Sequence, residues 1–212
     1  MRIIVVLFYL ISISCFSQKA TDFDNRMCIK VSPLSFITPY VGPCGKLSFE
    51  YKMKNNIAFQ NEVGVFFYSS KGYEIKFEAK LYIDNSDFVH GRYFSVELFY
   101  KHQSYTTPLV VDTADPYEQN YIVLQPFDVN KNVESLTFKY GLLSVFKFGF
   151  ITDVFCGLGI RFQQTRNSLS ASDNENLPPT TDYGPNLILD KARNSIYPNI
   201  VMGVKIGFRI KQ

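Results

Sequence analysis

His102 and Ser104 stand two residues apart in the stretch Tyr100-Lys101-His102-Gln103-Ser104-Tyr105. A serine becomes a nucleophile when an imidazole takes its proton, and an acid that orients the imidazole completes such a site. Glu118 or Asp115 follows closely enough to serve as that acid. In an extended strand, residues two apart share a face, so both side chains point the same way. The plainer reading is two polar residues at a rim. A second candidate is Asp128–Glu134, which sets oxygen-bearing side chains at alternate positions, as calcium loops do. It lacks the glycine of an EF-hand, so a solvated turn is the simpler expectation. His90 is a lone turn histidine. No CxxC pair, His/Cys cluster, phosphate-binding glycine loop or nucleotide motif occurs in the sequence. The expectation is a non-enzymatic protein with no cofactor and no assigned catalytic, cofactor-binding or metal residue.

These residues need elements to hold them. The chain has 212 residues, which favours one domain. Hydrophobic residues make up 46%, aromatics 16% with no Trp, and the net charge is +3. So mild a charge gives no footing for nucleic acid, which wants a concentrated basic patch. Arg2, the apolar run Ile3–Ile13 and then Cys15-Phe16-Ser17 read as a secretory signal peptide, residues 1–17, cleaved before Gln18. The run is too short for a spanning helix, which takes about twenty residues. Ser12 stands where an acylated Cys15 would want a bulky aliphatic neighbour. Nothing later approaches a helical span. Cys28, Cys44 and Cys156 then remain, an odd set that reads as free thiols, with Cys28 and Cys44 near opposite ends of one strand pair.

Residues 18–212 form a succession of period-two segments: Cys28–Leu34, Lys46–Met53, Ile57–Tyr68, Gly72–Ile83, Arg92–Tyr105, Glu134–Phe146, Phe150–Gln164 and Pro198–Ile210. Helical spacing never persists for two turns in them. Connections after the second and sixth segments are tight, with Asn55-Asn56 a hairpin signal. Those after the fifth and seventh are long, roughly residues 110–132 and 167–196. Both long loops follow odd strands and share one end; the tight turns share the other. Outer-membrane barrels show this asymmetry, with short periplasmic turns and long external loops.

Alternation alone leaves the facing open. Three features favour apolar residues outside, against lipid. Most strands reach the roughly 9–11 residues that a spanning strand needs. The polar face carries glycines (Gly64, Gly141, Gly157, Gly159, Gly203 and Gly207), and an eight-stranded lumen is only just wide enough for side chains to fill. The same face holds both charge signs: Glu50, Glu62, Glu74, Glu78, Glu97 and Asp153 with Lys30, Lys52, Lys76, Lys80, Lys101, Lys139, Arg161, Lys205 and Arg209. Enclosed charges must pair. Asn61 on the outer face, Phe66 and Phe99 inside, and Pro33 in the first strand fit less well.

The segments Phe16–Gln18, Leu47–Phe59, Gly157–Phe162 and Gly203–Ile210 together resemble the small outer-membrane β-barrel proteins of uncharacterised function found in Bacteroidota. The resemblance implies fold and location, and brings no functional residues with it. The expectation is therefore an all-β protein, one eight-stranded antiparallel up-and-down transmembrane β-barrel over residues 18–212. It would sit in the outer membrane of a Gram-negative bacterium, its lipids, including lipopolysaccharide, as surroundings. A structural or surface-recognition role falls to loops 110–132 and 167–196. One alternative is a lipid-modifying enzyme: His102 and Ser104, lipid-facing near the outer leaflet, resemble the pair of the lipid A deacylase barrels. Those follow the serine with Asn and a small residue, where this chain has Tyr105-Thr106. The other alternative is a soluble periplasmic barrel holding a small apolar ligand in its lumen.

Overall fold

The computed structural model describes residues 27–33, 44–53, 56–67, 70–83, 90–112, 122–169 and 192–210. The expected signal peptide lies outside them. Eight antiparallel strands run up and down in chain order: β1 Met27–Val31, β2 Cys44–Lys52, β3 Ile57–Phe66, β4 Lys71–Tyr82, β5 Gly91–Asp112, β6 Ile122–Val145, β7 Phe150–Asn167 and β8 Arg193–Ile210. Each pairs with the next, and β8 returns to β1, so the sheet closes on itself as a barrel. All eight expected strands are present.

The long connections are shorter than the sequence suggested. β5 and β6 stay paired as far as Asp112 and Ile122, so most of the expected loop 110–132 is ladder. β7 runs to Asn167 and β8 starts at Arg193, which trims the expected loop 167–196 at both ends. Asp128–Glu134 is accordingly strand, not a turn or a calcium loop. Its period-two alternation is genuine, with Val129 and Val133 buried between outward Asp128, Asn130, Asn132 and Glu134. β1 stops at Val31, ahead of Pro33, because proline has no N–H for a ladder.

Following paired residues around the ring gives the stagger. From Lys30 the path runs through Ser48, Glu62, Lys76, Phe99, Ser135 and Arg161 to Tyr197. The residue of β8 that pairs with Lys30 is Gly207, ten positions further on. With about 3.3 Å per residue and about 4.8 Å between strands, that stagger tilts the strands by about 40° from the axis and sets a backbone radius of about 8 Å. Side chains must fill so narrow a ring.

The facing is charged inside and apolar outside. Lys205 is buried, while Phe208 and Met202 are exposed. Phe138, Leu158 and Ile200 form one row across β6, β7 and β8, 62%, 65% and 71% exposed. Inward glycines sit opposite inward aromatics, as in Tyr93–Gly141 and Phe155–Gly203. A Cβ on Gly141 would collide with the Tyr93 ring. Close to the tight turns, Cys28, Ala58, Tyr82, Tyr93, Leu143 and Ile151 make a small buried cluster that caps this end of the lumen. The turn Lys147–Gly149 between β6 and β7 is a single 3₁₀ turn, with left-handed φ at Phe148 and Gly149.

Candidate functional site

The lumen concentrates the chemistry of the chain. Above the apolar cap, Lys30 and Lys80 alternate with Glu50 and Asp153 in a four-membered cage. The Lys30 Nζ distances are 2.5 Å to Glu50 and 2.6 Å to Asp153; those of Lys80 are 2.9 Å to each. Tyr82 donates its hydroxyl to Glu50 at 2.5 Å, and Tyr93 donates to Asp153 at 2.6 Å. Lys30 also donates to Gln60 Oε1 at 3.0 Å, and Gln60 passes the chain on to Glu78 at 3.2 Å. Six strands (β1, β2, β3, β4, β5 and β7) thus meet in one network through side chains far apart in sequence.

A second layer lies above the cage. Glu62 holds Lys76 and Lys205, each at 2.7 Å, and accepts from Ser48 at 2.7 Å. Lys139 pairs with Glu97 and lies 3.6 Å from Glu78, which accepts from Ser95 at 2.6 Å. Near the loop end, Lys46 meets Glu74 at 2.6 Å. Among the described residues this engages six inward carboxylates, Glu50, Glu62, Glu74, Glu78, Glu97 and Asp153, with Lys30, Lys46, Lys76, Lys80, Lys139 and Lys205. Removing one partner from such a network leaves a buried bare charge, which is why the set must be read as a unit.

The aromatics that fit the alternation poorly belong to this arrangement. Phe66 lies under the ammonium of Lys101 at 4.8 Å, and Phe99 under that of Lys76 at 5.4 Å. Phe155 carries Lys139 and Lys205, at 4.5 and 5.3 Å. A ring face attracts a cation, so an inward Phe beside lysine is a partner and not an error of register. Sequence reading treated Phe66 and Phe99 as misfits. The signal available was a lysine one strand away for Phe99 and two strands away for Phe66, and it could be read only once register was known.

His102 and Ser104 lie on the outer face of β5, as their spacing required, but they are not in contact as a catalytic pair. His102 Nδ1 is 2.8 Å from Asn132 Oδ1 on β6, and the ring leans on Tyr73 at 5.8 Å. Ser104 pairs with Lys71 and Asn130 across the ladder. Residues two apart on a strand are about 7 Å apart, beyond a hydrogen bond. Asp115 and Glu118 lie outside the described residues. Among the described residues no group of His, Cys, Asp and Glu is placed to hold a metal ion. Cys28 and Cys44 are buried free thiols and Cys156 is an exposed one.

The outer face changes character along each long strand. On β5 it reads Phe94, Val96, Leu98, Tyr100 and then His102, Ser104, Thr106. On β6 it reads Leu142, Tyr140, Phe138, Leu136 and then Glu134, Asn132, Asn130, Asp128. On β7 Val154 to Phe162 gives way to Gln164 and Arg166, and on β8 Ile196 gives way to Asn194. The switch falls on one row, since Tyr73, His102, Asn132, Gln164 and Asn194 are successive partners. Beyond it on β6 the inner face carries Lys131 and then turns apolar, with Phe127 and Val129 buried against Tyr105 and Leu169. Comparison of the chain with protein-family models, with curated proteins and with solved structures finds no match to it.

Proposed function

We propose that the chain is an integral outer-membrane β-barrel with a structural or surface-recognition role and no catalytic one. It is exported, with its signal peptide cut near Ser17, and its apolar outer band is covered by outer-membrane lipids, lipopolysaccharide among them. The reading rests on the reversal of polarity along the outer face. Beyond the row of His102 and Asn132 the outer residues are those of a water-exposed sheet; below it they are apolar round the ring apart from Asn61 on β3. One strand with two kinds of outer face is built for two solvents. Arg92 to His102 on β5, and Ser144 to Glu134 on β6, bracket the apolar stretch. Along tilted strands each span rises about 25 Å, the height of the lipid-facing band of such barrels. Tyr73, Tyr100 and Phe162 mark one edge, and Phe94, Tyr140, Phe150 and Phe208 crowd toward the other, as interfacial aromatic girdles do.

The packed lumen argues against a wide pore, and its ion pairs argue against a ligand chamber for an apolar molecule. The His102–Asn132 pairing gives the lipid-modifying alternative no added support. Replacing Leu158, in the middle of the band, with Arg tests the placement. Against hydrocarbon this change costs about 2–4 kcal/mol; against water an exposed leucine-to-arginine change stays within about 0.5 kcal/mol. The expected results are a loss of that size in urea unfolding from lipid vesicles, and wild-type protein in the outer-membrane fraction. Recovery of wild type from the soluble periplasm, or an L158R variant as stable as wild type, would overturn the placement.

A further inference from the structure

Lys101 is a cation left over. It is 8% exposed, reaches no carboxylate among the described residues, and rests its ammonium on the Phe66 ring. Arg161 lies two strands from it around the ring, on β7, since Lys101, Val133 and Gln163 are successive partners and Arg161 Nη2 donates to Gln163 Oε1 at 3.1 Å. Arg161 Nε is buried with no acceptor. Lys131, one pair further toward the loop end, sets its ammonium over Tyr105 at 5.1 Å. Lys101 therefore lies in the field of Arg161, Lys131 and Lys46, with Glu74 opposing them. An enclosed cation without a counter-charge is expensive, and among the described residues neither Lys101 nor the half-buried Arg161 meets a carboxylate.

Room for a counter-charge lies beside them. The inward residues of β2 to β5 are mostly buried, whereas Ser195, Asn199 and Val201 on β8 are only half-buried. Those three positions face into the ring, so their exposure is toward the lumen. We propose that this loop-side recess binds an oxyanion, a phosphate or carboxylate group, between Lys101 and Arg161. A guanidinium presents two parallel donors to such a group, and an ammonium adds a point charge. The site stands whatever the outer face touches, so it is independent of the membrane placement.

The test uses the full mature protein folded in detergent, with inorganic phosphate, acetate and chloride added at equal ionic strength. The midpoint of thermal unfolding is followed by circular dichroism. Phosphate or acetate is expected to raise the midpoint in a saturable manner, by about 3–6 °C at ten times the dissociation constant, and chloride is not. The arm that responds distinguishes phosphate from carboxylate. Lys101→Met removes an unmatched charge, so its midpoint without phosphate is expected to rise and its response to vanish. Arg161→Gln is expected to weaken binding about tenfold or more, while Lys71→Met on the outer face keeps the wild-type response. Equal effects of all three salts would overturn the site. So would an undiminished response in both lumen variants, or a fall in the phosphate-free midpoint of Lys101→Met, which would show the lysine already partnered.

Discussion

Asp153 is the residue on which most depends at the smallest scale. It is fully buried, faces two ammonium groups and accepts a tyrosine hydroxyl. Asp153→Asn keeps the shape and removes the charge, leaving Lys30 and Lys80 to share Glu50. The expected loss is about 3–5 kcal/mol in urea unfolding. Lys80→Met added to it removes one of the stranded cations, so the double variant should be less damaged than the sum of the singles by about 1 kcal/mol or more. Strict additivity would show that the cage does not act as a unit. His102 and Ser104 are legible to the same degree: spacing put them on one face, and only register showed that Asn132, not Ser104, takes the imidazole. Ser104→Ala should leave lipid A acylation unchanged; loss of a deacylase activity on that change would restore the enzymatic alternative.

At the scale of elements, alternation carried most of the reading. The facing of β8 followed from Lys205 and Arg209 lying opposite in phase to Ile206 and Phe208. Its failure came where the outer face turned polar. Asp128, Asn130, Asn132 and Glu134 look like a loop when apolar residues are the mark of a strand, yet they alternate with Val129, Lys131 and Val133 as a strand should. The extension of β5 and β6 past the apolar band was hidden for that reason. Cross-strand pairs of glycine with an aromatic are a second device that needs register to be seen. Gly141→Ala would force the Tyr93 ring aside, and with it the hydroxyl on Asp153. The expected cost is about 1–3 kcal/mol, seen as a lower urea midpoint, and Tyr93→Phe made beside it should reduce the further effect of the alanine. No change in G141A would mean that the ring is not held there.

The whole molecule is governed by closure. Eight strands with a stagger of ten leave no free edge among the described strands and a lumen narrow enough to be filled. The ion pairs tie β1 and β2 to β3, β4, β5, β6, β7 and β8, so the ring is expected to open as one cooperative unit. Unboiled protein should therefore resist SDS and migrate differently from boiled protein on a gel, and it should add no steady conductance to a planar bilayer. Identical mobility before and after boiling, or stepwise conductance of pore size, would contradict a closed, plugged barrel.

The sequence by itself determined that there are eight strands, their order, and which residues share a face, because a period of two is a local property that every residue reports on its own. It also set the inward charges and the unequal ends. What only the tertiary structure decided was which inward charge meets which, where the outer face changes polarity around the ring, and which cations meet no carboxylate among the described residues. Those depend on register and stagger, which are fixed by closing the whole sheet. Shifting one strand by two residues keeps every facing intact and changes every pair.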